Sequence, residues 1–172
     1  NSRRATYVHQ HYARRNPHRF SGYSDSCWGL TASDGPGPDR RVVCGSEHRF
    51  YGYRARGAPW GPDDGTVAPW AALASLPFAP EIVLPTVTYL HTLMPREHRD
   101  EYGFKCSFNR TYPEGDDSIG WISPWHFVLN QGPTVLMIEN YRSGLIWRLM
   151  RDVGCLRRGL HRAGFRGGWL DA

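Results

Sequence analysis

The sequence predicts a mainly helical chain whose helices are joined by long, glycine- and proline-rich loops. Three observations carry this. Helical spacing of apolar residues dominates the second half of the chain. Glycine and proline supply 19 and 13 of the 172 residues, clustered between the periodic segments and without a G-X-Y repeat. No run of strands alternates with helices in the way a parallel sheet requires. The length fits one domain large enough to bury its own core. With 40% hydrophobic and 22% charged residues, intrinsic disorder is excluded.

Residues 1–26 are polar and aromatic with no sustained period, so the expectation there is irregular chain with one short helix. Residues 27–66 hold the densest glycine and proline, in CWGLTASDGPGPDRR and GYRARGAPWGPDDGT. Long helices are excluded, and short strands are expected near 41–43 and 49–53. Loops of this length inside a compact domain usually carry function. Asp64 or Thr66 is placed to cap a helix over 68–76. A second helix is expected over 80–94, with Ile82, Val83, Val87, Leu90 and Leu93 on one face and Pro85 in an early turn. After a loop region at 95–124, two helices are predicted, over 125–130 and 133–150, broken at Gly132-Pro133. The second is apolar on most sides and is expected to be buried, with partners for Glu139, Asn140 and Arg142. A last helix is expected over 155–163, ended by Gly164. The domain reading is an N-terminal segment 1–26, a main body 27–165 and a tail 166–172.

The net charge of +5 comes from 20 arginines and one lysine, Lys105, against 16 acidic residues. The arginines sit at both ends and form no continuous basic block, which argues against a nucleic-acid partner. No apolar run approaches membrane-span length. Cys27, Cys44, Cys106 and Cys155 make no CxxC pair, and the histidines have no ligand spacing. No metal and no cofactor are expected. Cys27 and Cys44 bracket a loop and are candidates for a disulfide in an oxidising compartment; the alternative is buried free thiols.

Two groups of residues carry chemistry. Trp28, Tyr53, Trp60, Trp121 and Trp125 lie in loops beside Asp, Asn, Gly or Pro, a composition suited to stacking on sugar rings. The loop acids Asp25, Asp34, Asp39, Asp63, Asp64, Glu114, Asp116 and Asp117 are candidates for the paired carboxylates of glycoside cleavage. Asn130 and Gln131 offer two amides to sugar hydroxyls at the predicted helix break.

The strings WGLTASDGP (28–36), YRARGAP (53–59), DGTVAPWAALASLPFAPE (64–81), YGF (102–104) and NQGPTVLMIENYRSGLIW (130–147) resemble the glycoamylase-like family of bacterial proteins. That family includes endo-β-1,2-glucanases and has a distant relation to a transglycosylation domain of cyclic glucan synthases. The resemblance implies an (α/α)6-barrel to which this chain contributes about half of the helices, as its C-terminal half. It implies a periplasmic or extracellular glycosidase acting on a β-1,2-glucan by carboxylate acid/base hydrolysis. A non-catalytic carbohydrate-binding member of the fold, or a related transglycosylase or phosphorylase, is the alternative. The partners it implies are an oligo- or polysaccharide and a missing N-terminal half of the same domain, which would carry the general acid. The resulting site is Asp34 and Asp64 as catalytic carboxylates, with Trp28, Tyr53, Trp60, Trp125, Asn130 and Gln131 binding substrate. Residues 139–142 fall on a helix motif expected to be structural. Three departures from the family pattern stand out. Cys106 occupies the place of a carboxylate in YGFKCSFN, Asn130 replaces the usual Asp before QGP, and 39–49 and 112–120 are insertions. Asp116 and Asp117 are candidate replacements for the lost carboxylate.

Overall fold

The computed structural model describes residues 1–94, 99–114 and 119–171. In chain order these form helix α1 (Ser2–Arg15), then strands β1 (Ala32–Ser33), β2 (Asp39–Val43), β3 (Ser46–Phe50), β4 (Arg54–Ala55) and β5 (Thr66–Val67). Helices α2 (Pro69–Leu73) and α3 (Pro80–Leu93) follow, then strands β6 (Arg99–Asp100), β7 (Gly103–Phe104), β8 (Phe108–Asn109) and β9 (Trp121–Ile122). Helices α4 (Val128–Ser143), α5 (Leu145–Arg151) and α6 (Gly154–Arg162) close the chain, with a short 3-10 turn at Gly168–Leu170. The strands pair in small antiparallel sets, β1 with β4, β2 with β3, β6 with β7, and β5-β8-β9.

The helix expected within the irregular N-terminal segment is longer than a short one. It runs for 14 residues and buries Thr6, Tyr12 and Ala13. Its inward stripe, Thr6, His9 and Ala13, has helical spacing but little hydrophobicity, which hides it from an apolar-period search. The 39–49 insertion is the β2–β3 hairpin. Its turn residues Cys44 and Gly45 both have positive φ (50° and 78°), the backbone that matches strand twist in a two-residue turn. Arg41 pins the hairpin to the loop after β8. Its guanidinium lies 4.0 Å from the Tyr112 ring centroid, donates to the Tyr112 hydroxyl, and pairs with Asp39 at 2.7 Å.

Helix α3 follows its predicted face. Val83 and Leu90 are fully buried, and Ile82, Val87 and Leu93 pack on the core. Helix α2 begins with Pro69 at its first position behind Ala68, so neither Asp64 nor Thr66 is its cap. Helix α4 runs through Gly132-Pro133, where a break was expected. A shared device explains how α3 and α4 each tolerate an internal proline. In each, the next residue is a buried threonine whose hydroxyl donates back one turn, Thr86 to Ile82 O (2.9 Å) and Thr134 to Asn130 O (3.0 Å). The carbonyl that each proline leaves without its N–H partner, on Glu81 or Leu129, belongs to an exposed residue.

The break comes instead at Gly144, left-handed at φ 66°. Asn140 stabilises that corner. Its carbonyl accepts the Gly144 N–H (3.0 Å) and its side-chain oxygen accepts the Trp147 N–H (3.0 Å). Of the polar trio 139–142, only Asn140 is buried; Glu139 and Arg142 form a loose 3.9 Å pair at the surface. Helix α6 ends as the sequence predicts. Gly164 N–H bonds His161 O and Phe165 N–H bonds Leu160 O, both at 3.0 Å, the paired closure of a Schellman motif.

The C-terminal helices are not buried, contrary to the expectation for an apolar segment. Val128, Leu129, Val135, Leu136, Tyr141, Leu149 and Phe165 all present large apolar surface. The core lies elsewhere, among Tyr12, Phe20, Trp28, Val67, Val83, Leu90, Met94 and Phe108. No helix among the described residues is long and apolar enough to cross a membrane.

The loops 33–66 converge on a buried ion pair. Arg56 and Asp64 have fully buried side chains and form a bidentate pair, Nε to Oδ1 at 2.7 Å and Nη2 to Oδ2 at 2.8 Å. Arg56 also donates to the carbonyls of Ser33 (2.8 Å), Gly52 (3.2 Å) and Tyr51 (3.3 Å). Asp64 accepts the backbone N–H of Tyr51 (2.9 Å) and Thr66 (3.1 Å). The chain packs so closely here that a Cβ on Gly35 would run into Arg56 Nη2 and Tyr51 O.

Removing one charge of a buried pair strands the other, at a cost of about 3–5 kcal/mol. Asp64→Asn is therefore expected to lower the unfolding free energy by that amount in urea titrations, whereas Asp34→Asn changes it by about 1 kcal/mol or less. Alkali tests the core in another way. Burial pushes the Cys27 thiol up to about 12 from its ordinary value of 9, and raises Tyr12 and Tyr23, with Asp63 adding to both. These groups are neutral in the fold and ionise more readily when unfolded. Their contribution is complete below pH 9 and is lost as pH rises toward 12. Denaturant midpoints should be flat up to pH 9 and fall above it, less steeply in Cys27→Ala.

Candidate functional site

A pocket of about 460 Å³ opens between the β1 strand, the loop at Tyr53, α2 and the start of α4. Its walls include Ser33, Tyr53, Trp70, Cys106, Phe127 and Asn130. The elements that position them follow from the contacts above. Arg56 ties down the Gly52 and Arg54 carbonyls on either side of Tyr53, and Tyr53 stands out of the loop at 70% exposure. The backbone of Cys106 is held by Trp125, whose carbonyl accepts its N–H at 3.0 Å. Asn130 is buried in the first turn of α4, and its amide donates to Cys106 Sγ at 3.1 Å.

Asp34 lies beside this pocket. It is half-buried and directly follows Ser33, one of the walls. Two fully buried serines fix it. Ser123 Oγ donates to its carboxylate at 3.0 Å, and Ser107 Oγ to its backbone carbonyl at 2.8 Å. The Ser123 N–H bonds Ser107 O at 2.9 Å, so both serines belong to one rigid pair of strands. A carboxylate held by one hydroxyl retains acceptor capacity for a further donor, such as water or a sugar hydroxyl.

The structure thus brings Tyr53 and Asn130 together as walls of one pocket, with Asp34 next in the chain to the wall residue Ser33 and Trp125, 59% exposed, bonded through its carbonyl to Cys106. Gln131 is turned to the backbone, donating to Phe104 O at 3.1 Å and tying α4 to β7. Trp60 is almost fully exposed on the 57–62 loop and is not a wall of this pocket. Two expectations are corrected. Asp64 has no exposed surface and both its oxygens are engaged, so it is a structural carboxylate. Trp28 is 1% exposed in the core, so its ring offers no stacking face. Asp116 and Asp117 lie outside the described residues. Sequence reasoning missed Trp70, which walls the pocket from α2. It was hidden inside APWAALASL, a stretch that reads as ordinary amphipathic helix. A second hollow of about 490 Å³, between α1 and Pro59, is lined by Tyr7, His11, Tyr12 and Arg15. Its tyrosine hydroxyls are already committed, Tyr12 to Asp63 at 2.9 Å and Tyr7 to Glu81.

An aromatic-walled pocket flanked by an anchored carboxylate, on a frame of helices and long loops, defines the class of site to which relatives should be compared. Residues 1–154 match the family described as "Putative glucoamylase", and the chain belongs to that family. It is 32% identical over 166 residues to an exo β-1,2-glucooligosaccharide sophorohydrolase of Parabacteroides distasonis, covering 94% of this chain and 20% of that protein. Among solved structures, a "putative glucoamylase" from Bacteroides uniformis superposes with a TM-score of 0.77 at 37% identity, over 96% of this chain and 35% of that one. An endo-β-1,2-glucanase from Chitinophaga pinensis, in complex with sophorotriose and glucose, gives 0.75 at 29%, over 95% and 34%. The fold is therefore that of the glucoamylase-like and glucanase structures. The chain spans about a fifth to a third of the length of these relatives, which accords with a part of such a domain.

All four cysteines are free thiols, Cys27 and Cys106 buried, Cys44 and Cys155 exposed. The candidate Cys27–Cys44 disulfide is absent because Cys44 sits at the tip of the β2–β3 hairpin while Cys27 is in the core. Native protein should accordingly release two equivalents of thionitrobenzoate quickly from Ellman's reagent, and four only after denaturation. A count of two after denaturation without reductant would show a disulfide.

Proposed function

We propose that the protein to which this chain belongs is a glycoside hydrolase acting on a β-1,2-linked glucan, with the pocket at Tyr53 and Asn130 as part of its sugar site. The observation that carries this is Asp34, half-buried, fixed by Ser123 and Ser107, and next in the chain to Ser33, a wall of an aromatic-lined pocket. The names of the relatives supply the substrate class. In glycoside cleavage one carboxyl group protonates the leaving oxygen, and a second either activates water or attacks the anomeric carbon. Asp34 takes the second role. The proton donor comes from outside these 172 residues. Tyr53 and Trp125 provide ring faces for the pyranose, and Asn130 holds the pocket wall through Cys106. The exposed apolar faces of α4, α5 and α6 pack on the remaining helices of an (α/α)6-barrel. A polymeric glucan substrate fits a periplasmic or extracellular location.

One observation favours a second reading, a carbohydrate-binding member of the fold without turnover. Cys106 and Asn130 face the pocket bonded to each other, and neither is a carboxylate.

Asp34→Asn in the full-length protein decides between them. As an enzyme, it should lose about 100-fold or more of its kcat on β-1,2-glucooligosaccharides, while calorimetric affinity for the same sugars stays within about three-fold. Wild-type protein that binds these sugars but cleaves no glucan in a panel would establish the binding reading. An unchanged kcat in the variant would remove Asp34 from the mechanism.

A further inference from the structure

The β2–β3 hairpin carries a charge arrangement that the sugar site does not use. Its register sets Arg40 directly opposite Arg49. Side chains opposed in this way share one face of the ribbon, and like charges there repel. Arg54 adds a further guanidinium. Those of Arg49 and Arg54 both lie against the Tyr51 ring, at 5.3 and 5.4 Å from its centroid. Neither pairs with a carboxylate among the described residues. Glu47 reaches Arg40 at 3.2 Å, but both side chains are largely exposed, so that pair is weak. Asp39 is already taken up by the Arg41 guanidinium, the Arg40 N–H and the Tyr112 hydroxyl. The base beneath these arginines is rigid. The Tyr51 N–H donates to the buried Asp64 at 2.9 Å, and its carbonyl accepts from Arg56 at 3.3 Å and from the Gly37 N–H at 3.0 Å. An open hollow of about 260 Å³ lies between Arg40, Arg49 and Pro38.

An oxyanion meets these requirements. It relieves the repulsion between opposed arginines, and its oxygens accept the paired N–H groups that each guanidinium presents in a fixed fork. A neutral sugar leaves the repulsion in place, and a cation adds to it. We propose that this face of the hairpin is an oxyanion site, in which Arg40, Arg49 and Arg54 hold a phosphate or a group of the same charge and shape. The proposal does not depend on the glucan reading. Residues 39–49 stand outside the strings that carry the family resemblance, and none of the three arginines walls the Tyr53 pocket. The anion has two possible sources with the same chemistry. Arg54 is next in the chain to Tyr53, a wall of that pocket, so one source is a phosphorylated carbohydrate. The other is free inorganic anion.

The test is calorimetric titration of the full-length protein with inorganic phosphate and with glucose 6-phosphate, the ionic strength held constant with chloride. Phosphate should bind with a Kd of about a millimolar. Arg49→Gln should weaken it about ten-fold, and Arg49→Lys, which keeps the charge and loses the fork, about three-fold. Glu47→Gln removes the competing carboxylate and should tighten binding about two-fold. Positions 47 and 49 are exposed, so these variants keep the fold. Arg158→Gln makes the same change of charge on α6 and should leave the affinity within about two-fold. Glucose 6-phosphate binding about ten-fold tighter than phosphate assigns the anion to a carbohydrate; equal or weaker binding assigns it to the free ion. Equal weakening in Arg49→Gln and Arg158→Gln would overturn the site, because net charge alone would then account for the binding. Absence of phosphate binding by the wild-type protein would also overturn it, the arginines then being neutralised by another part of the full-length chain.

Discussion

The Arg56–Asp64 pair is the constraint on which the loop architecture depends. Residues 31–66 have two-residue strands and one hairpin, too little regular structure to satisfy their own backbone. Arg56 supplies that satisfaction from within, accepting the role that a sheet would otherwise play for Ser33, Tyr51 and Gly52. A guanidinium suits this because it is planar, always charged and offers five donors in a fixed fork. Asp64 neutralises it and passes the connection onward. Its backbone carbonyl accepts from Asn109 Nδ2 at 2.9 Å, and Asn109 in turn accepts the N–H groups of Thr111 and Tyr112. A single buried polar network thus links the β1 region, the Tyr53 loop, β5 and β8, and through them the walls of the site.

That network also explains which parts of the structure the sequence discloses. Helices α3 and α6 are legible because their signals are local: an apolar face for α3, and a terminating glycine for α6. The uninterrupted α4 is not. Gly132-Pro133 is a break signal by itself, and only a buried threonine at 134 shows how the helix passes through. The full extent of the 2–15 helix is not legible for the opposite reason, since Tyr12 is the one large apolar side chain on an inward face otherwise made of threonine, histidine and alanine. At the site, Tyr53 and Asn130 are found by residue type and context. The separation of Asp34 from Asp64 is not, because both are loop aspartates followed by glycine. Their difference lies in what reaches them. An arginine eight positions away closes on Asp64, whereas two serines from β8 and β9 regions more than 70 residues away fix Asp34.

Burial and exposure carry different weight in a chain that spans a fifth to a third of its relatives' length. Additional protein can cover a surface but cannot uncover one that is already closed. The complete burial of Asp64 therefore holds in any larger assembly, and it removes Asp64 from contact with substrate. The exposure of Val128, Leu129, Val135 and Leu149 has no such permanence. Contiguous apolar surface of this kind marks a contact face, and the apolar periodicity that led to an expectation of burial is the expected sequence of a helix that packs against a neighbour.

The same asymmetry bears on the pocket itself. Its rigid parts are those fixed from below: Asn130 in α4, Cys106 against the Trp125 backbone, and Asp34 between two serines. Its exposed wall Tyr53, and Trp125 next to Cys106, face solvent. A pocket assembled in this way has its polar geometry set by one part of the fold and its other side open. On the glycosidase reading proposed above, a carboxylate beside the pocket would need a proton donor on a separate flank of the scissile bond. On that reading the chain would provide the floor of the cleft and one of its two acid/base groups.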